Sequence, residues 1–498
     1  MGRILEGCEP KEVLRFFEEL SAIPHGSGNT DMISDHLVHF AEVRGLSYEQ
    51  DELGNVIIRK PAAPGHENAP AVILQGHMDM VCEKKPDCTL DMENEGLRLK
   101  LQDGVLSADG TTLGGDDGIA VAYMMALLDG DYVHPSLECV FTVDEEIGML
   151  GAAGMNMSGL KGRMLLNIDN EVEGLLLCGC AGGASTSIFL PLTREDRAFP
   201  DSEVMVLSIS GLLGGHSGIE INKGRANANI LMGRVLQALL KKLPHEMRIY
   251  GLAGGTKDNA ITALSECKMW IAESSKQDAF RVLEDLQRVL REEYGAQDPD
   301  ISLSLIPGKE KGNAPVMTNP ENRRPFSEMT TRRAIWLLRS LPYGVQKMSF
   351  QIPGFVETSL NLGTLTTTEE MMRACFLIRS SRNSEKEELI SRLEALTAVF
   401  SCKVITEGDY PAWEYREISP LREVMKTCYR EQYGEDMRVE TIHAGVECGI
   451  FSDHIPGIDA ISFGPQMNDI HTPRESMDLA SAERTWKLLL RVLEVLAC

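Results

Sequence analysis

The chain has 498 residues, past the ~250–300 at which a single hydrophobic core stops growing, so at least two domains are expected. Apolar residues make up 43% and charged residues 25%, the balance of a folded globular protein rather than a disordered one. With 74 acidic against 49 basic residues the formal charge is −25, which leaves no basic footprint for nucleic acid or an anionic membrane.

No apolar run reaches the ~18 residues of a membrane span. The segment Met1 to Glu6 has no apolar signal core, and Glu6 stands where a myristoylation motif carries Ser or Thr. The chain therefore reads as cytoplasmic, and its 12 cysteines as reduced, mostly buried thiols. Cys178 and Cys180 form a CxC with no second pair to complete a metal site.

Pro10 opens an amphipathic helix in which Val13, Phe16, Phe17 and Leu20 share a face. Up to about residue 180 the pattern alternates strand and helix, as in an α/β domain with a mixed sheet. Ala71 to Leu74, Leu137 to Val143 and Met164 to Ile168 read as buried strands, and Gly118 to Leu128 as an almost wholly apolar helix. Each strand runs into a polar cluster: His77-Met78-Asp79, then Asp144-Glu145-Glu146, then Asp169-Asn170-Glu171. Ligand sites in open α/β sheets lie beyond the carboxyl ends of strands, so three such clusters predict one site.

From about 186 to 408 the texture becomes β-α-β-β-α-β and then a second, looser pass of the same order. Lys309 to Arg324, rich in Gly, Pro and Asn, reads as the joint between passes. After about 409 the first texture returns: a helix from Pro420 to Tyr433, a strand from Ala460 to Phe463, a loop with His471 and a long helix. The expected architecture is a discontinuous α/β domain, residues 1–185 and 409–498, interrupted by a two-lobed α+β insertion at 186–408.

Several clusters carry chemistry. His77 and Asp79, two apart in extended chain, point to one side, so the carboxylate can orient a metal-bound imidazole. Gly114-Gly115-Asp116-Asp117-Gly118 exceeds what a helix cap needs, and one aspartate can face a cation. Three carboxylates in a row at 144–146 repel one another unless a cation neutralises them or one carries a proton.

Singly these signals are weak; their order is specific. H-x-D, then GDDG, then DEE, then I-D, then a late H-T-P after a long insertion resembles the di-zinc metallopeptidase family that includes carboxypeptidase G, the aminoacylases and the cytosolic dipeptidases. Within it, Ile23 to Gly28 (IPHGSG), Gln75 to Val81 (QGHMDMV), Gly214 to Gly218 (GGHSG) and His443 to Gly449 (HAGVECG) resemble the bacterial aminoacyl-histidine dipeptidases. The resemblance implies that His77, Asp116, Glu146, Asp169 and His471 are metal ligands, with Asp116 bridging two ions and followed by a cis peptide. It implies Glu145 as general base, Asp79 as the group that fixes the His77 ring, and the insertion as a lid. His216, Asn259, Arg379 and the Gly445 backbone match positions that hold substrate.

Two histidines and three carboxylates suit zinc, with cobalt or manganese as substitutes. The implied activity is hydrolysis of dipeptides, Xaa-His and carnosine-like ones among them, by a cytosolic homodimer. An amidohydrolase acting on N-acyl amino acids shares the same core. A non-catalytic relative would have lost Glu145 or a ligand, and none is lost here. One departure is Asp117, where the family more often has Asn; it adds a charge beside the site.

Overall fold

A computed structural model describes residues 3–196, 201–308 and 324–498. The chain divides into two units, one formed by 1–180, 413–442 and 446–498, the other by 181–412 with 443–445. The expected boundaries at 185/186 and 408/409 instead cut through strands Gly182–Pro191 and Lys403–Tyr410, which the second unit keeps whole.

The first unit is built on an eight-stranded sheet in the order Ser47–Gln50, Val56–Lys60, Leu137–Thr142, Val72–His77, Met164–Asn167, Asp459–Ser462, Leu175–Cys180, Arg438–Ile442. Val72–His77 and Leu137–Thr142 are buried at every residue, as parallel strands covered on both faces must be. Val72–His77 lies parallel to Leu137–Thr142 on one side and to Met164–Asn167 on the other, with His77 opposite Thr142 and Gln75 opposite Asn167. That register brings the carboxyl ends of all three strands to one edge. Asp459–Ser462 continues the parallel run beside Met164–Asn167, so a segment from beyond the insertion completes the middle of the sheet.

Helix Gly115–Asp129 is buried without interruption from Asp117 to Leu128 and packs between strand Val72–His77 and helix Lys11–Ser21. Gly76 has no room for a side chain: a Cβ there would stand 2.5 Å from both Ala120 and the Asp117 carboxylate. The helix therefore starts flush against the strand that ends in His77.

The second unit holds a nine-stranded sheet in which eight strands form two copies of one topology and the ninth, Gly344–Met348, pairs with Val356–Thr367. In the first copy, strands Ser202–Ser210, Met247–Gly254, Ser265–Ala272 and Ser302–Pro307 stand in the spatial order fourth, first, third, second. The second copy repeats that order with Gly182–Pro191, Val356–Thr367, Met371–Ser380 and Lys403–Tyr410. Their second strands adjoin, with Gly254 opposite Leu365. The copies are nested, not consecutive: the first is spliced into the second after its opening strand. The sequence pattern shows the order of the repeat but does not pick out Gly182–Pro191, the opening strand of the second copy. The expected joint at Lys309–Arg324 lies outside the described residues except for Arg324.

Candidate active site

The strand edge of the first unit collects the carboxylates and imidazoles that the sequence singles out. The Asp79 carboxylate accepts the N–H groups of Glu145 at 2.9 Å and Glu146 at 3.3 Å, and the Ser27 hydroxyl at 2.8 Å. It thus ties the Asp144–Glu146 turn to the end of the His77 strand. The His77 ring is held mainly by the Asp79 main chain: Nδ1 lies 2.9 Å from that carbonyl and 3.4 Å from the carboxylate. An Nδ1–H donating there leaves Nε2 with its lone pair free to bind a cation.

Asp116 lies between two histidines. One carboxylate oxygen stands 3.2 Å from His77 Nε2 and the other 3.1 Å from His471 Nε2. Asp169 lies 4.0 Å from His77 Nε2. Glu146 Oε1 lies 2.9 Å from His471 Nε2 but is not aligned to accept a hydrogen bond from it, and this buried oxygen has no hydrogen-bond partner among the described residues. Two trios follow, His77-Asp116-Asp169 and Asp116-Glu146-His471, each with ligand atoms within 4.8 Å of one another and sharing Asp116. Glu145 lies in a further group with His77 and Glu146. The peptide between Asp116 and Asp117 is cis.

The electrostatics fit a pair of cations. Burial, then the Asp116 and Asp117 charges, pushes Asp169 well above the carboxylate range. Burial likewise pushes Glu145 up to about 8, and the Asp116 and Glu146 carboxylates push His471 up to about 10. Without cations the cluster must hold protons; with two divalent ions bound it need not. Asp117 is fully buried, its Oδ2 accepting the His77 N–H at 3.3 Å and its Oδ1 without a hydrogen-bond partner among the described residues. Burial pushes its carboxyl well above the usual range, towards the neutral acid.

Two glutamates that the sequence reading does not single out support this cluster. Glu475 accepts the N–H groups of Leu113 and Gly115, both at 2.8 Å, and more distantly those of Gly114 and Asp116. It clamps the turn that carries Asp116, and its own N–H donates to Thr472 in the His471 loop. Glu447 is fully buried behind the strand ends, where one oxygen accepts from Gln75 and Thr142 and the other has no hydrogen-bond partner among the described residues. Gln75 in turn accepts from Asn167 at 2.6 Å. Burial pushes Glu447 up to about 7. Its only sequence signal is its place inside the HAGVECG stretch.

In the second unit Arg379 lies close enough to His216 and His443 for its charge to act on both rings. His216 pairs with Ala260 across a short ladder, and the carbonyl of neighbouring Asn259 accepts the Ser217 N–H at 2.8 Å. His216 Nδ1 accepts the Gly218 and Ile219 N–H groups at 3.2 and 3.3 Å, which puts the ring proton on Nε2. Arg379 is 6% exposed; Nη1 donates to the Tyr410 hydroxyl at 3.0 Å, and Nε has no hydrogen-bond partner among the described residues. Burial and then the Arg379 charge push His216 down, and push buried His443 down to about 3. A guanidinium beside two neutral imidazoles is the cation there for a carboxylate to pair with. Gly445 follows two residues after His443 and is partly buried.

The profile of peptidase family M20/M25/M40 matches residues 73–495. Over 493 residues the chain is 34% identical to the cytosol non-specific dipeptidase of Escherichia coli (strain K12), covering 98% of each. The aminoacylhistidine dipeptidase of Vibrio alginolyticus superposes with a TM-score of 0.89 at 32% identity, over 99% of this chain and 98% of that one. Aminopeptidase PepT of Bacillus cereus shares the fold, with a TM-score of 0.55 at 15% identity over 99% of this chain and all of that one.

Proposed function

The chain belongs to peptidase family M20/M25/M40, and on that premise we propose that it is a metal-dependent dipeptidase with two divalent ions and Glu145 as general base. The observation that carries the reading is the pair of ligand trios sharing Asp116. His77 and Asp169 would complete one ion's set, and Glu146 and His471 the other's. Zinc suits this nitrogen and oxygen donor set, and cobalt or manganese could replace it. When bound, such a pair polarises a carbonyl and brings the pKa of a bound water near 7.

The chain's own residues supply the rest. Glu145, adjacent to a ligand and pushed up to about 8 before metal binds, takes the proton of the attacking water and returns it to the departing amine. Asp79 holds the backbone of Glu145 and Glu146 so that the base and the ligand keep separate positions. Arg379 would grip the substrate's free carboxylate, assisted by the Gly445 backbone and by Asn259. His216 would present its Nε2–H to substrate, and the second unit would act as the lid. The substrates are free dipeptides, those ending in histidine included, since one relative is named non-specific and the other aminoacylhistidine. A cytosolic setting rests on the Escherichia coli relative, and a homodimer on family resemblance alone.

The test is an assay of purified protein, before and after chelation, on free dipeptides including carnosine, amidated dipeptides and N-acyl amino acids. Free dipeptides should be cleaved, activity should fall on chelation and return with zinc. Preferential cleavage of N-acyl amino acids would favour the amidohydrolase instead.

A further inference from the structure

An open cavity of about 710 Å³ lies beside Glu146 in the first unit, in the ~300–1,000 Å³ range of small-molecule sites. We propose that it receives the side chain of the dipeptide's N-terminal residue and selects long apolar or basic side chains over acidic ones. This rests on the dipeptidase reading and adds the specificity of its first position.

The cavity has four walls, each tied to the catalytic edge. One is the loop Gly26–Asn29, whose Ser27 hydroxyl donates to Asp79 at 2.8 Å and whose Gly28 N–H donates to Asp144 at 2.6 Å. Across from it the turn at 92–94 is fixed by the Asn29 side chain donating to the Glu93 carbonyl at 3.0 Å. The 80–82 segment forms the third wall. It lies flush against the loop, because a Cβ on Gly26 would stand 2.5 Å from Cys82 Sγ. Glu146 and Ile147 form the fourth, with Ile147 55% exposed. The pocket is therefore contiguous with a proposed metal ligand and one residue from the proposed base.

Chemistry then identifies the occupant. Met80 and Met92 pack with Leu90 beneath the cavity, and thioether side chains adapt to several apolar shapes. Glu93 supplies the one lining charge not proposed to hold a cation, and no lysine or arginine is among the lining residues. A dipeptide has a carboxylate on its second residue and an ammonium on its first. The acidic rim repels the carboxylate-bearing residue and admits the other. An aspartyl or glutamyl first residue would meet Glu93 unpaired, whereas a lysyl or arginyl one would be neutralised by it.

The experiment uses the metal-loaded enzyme and two dipeptide series, Xaa-Ala and Ala-Xaa, with Xaa as Gly, Leu, Met, Lys or Asp. The native enzyme should prefer Met-Ala and Lys-Ala to Asp-Ala by about tenfold or more, the scale on which one pocket discriminates side chains. Met92→Trp should cut the Met-Ala to Gly-Ala ratio of kcat/KM by about tenfold. Glu93→Lys, on an exposed turn and so safe for folding, should raise the Asp-Ala to Lys-Ala ratio similarly. Ratios that move only in the Ala-Xaa series, or in neither, overturn the proposal. Calorimetric binding of leucinamide, lysinamide and aspartic α-amide reads the pocket without turnover. If no dipeptide is cleaved yet Glu93→Lys still reverses the lysinamide-to-aspartamide preference, the dipeptidase reading fails and the pocket stands. Unchanged amide preferences overturn the pocket itself.

Discussion

Glu145 and Glu146 are adjacent, have their N–H groups held by the same Asp79 carboxylate, and yet face different tasks. Glu145→Gln should keep both metal ions and lose the ~10²–10⁴ in rate that a general base contributes. Glu146→Gln removes a ligand charge, so metal analysis should show one ion weakened; equal metal loss in both variants would mean the roles are misassigned. Glu447 gives a pH prediction. In the metal-free protein its carboxyl moves from an ordinary 4.5 up to about 7 on burial. The folded state thus favours the protonated form: its stabilising contribution is complete below pH 4.5 and is lost as pH rises through 7. Glu447→Gln should make chelated protein more stable at pH 8, by up to about 3 kcal/mol, and no more stable near pH 4. Denaturant titration at both pH values checks this. Why neither Glu447 nor Glu475 can be read from sequence is physical: each acts on groups over 300 residues away in the chain, and neither sits in a spacing that signals a ligand.

At the scale of elements, the loop from Asp469 to Glu475 serves two ends of the site at once. His471 faces Asp116 and Glu146, while Glu475 four residues later clamps the Asp116 turn from behind. His471 itself holds a left-handed backbone at φ 59°, a conformation that costs a non-glycine residue ~1–3 kcal/mol and needs its surroundings to enforce it. Glu475→Ala should therefore cost ~1–3 kcal/mol from unpaired buried N–H groups. It should also weaken metal binding although Glu475 is no ligand; melting and metal titration together test this. Elements whose physics is local are legible beforehand. Val72–His77 and Leu137–Thr142 show as apolar runs because parallel strands bury both faces, and the alternation at 204–209 marks a strand with one open face. Gly182–Pro191 is not legible, since it begins with two glycines and is rich in Ser and Thr; its partners on both sides, not its composition, make it a strand. The expected ligand set reads from the order of its motifs rather than from any one spacing.

Across the whole molecule, the proposed metal centre lies in one unit and the proposed carboxylate grip in the other, so the two functions should separate by mutation. Arg379→Lys keeps a charge but loses the paired donors of a guanidinium. It should reduce kcat/KM on free dipeptides sharply with metal content unchanged, and amidated dipeptides should already be poor substrates for the native enzyme. Cleavage of amidated and free dipeptides at equal rates would return Arg379 to a structural strand residue. The strand Asp459–Ser462, seated beside Met164–Asn167, carries a further consequence for biosynthesis. A chain growing on the ribosome holds His77, Asp116, Glu146 and Asp169 long before it holds the strand that completes the middle of their sheet, or His471 and Glu475. Hundreds of residues of the second unit must emerge first. Until then the exposed edge of Met164–Asn167 and the incomplete carboxylate cluster persist together, a species open to pairing with other strands and to the wrong cation.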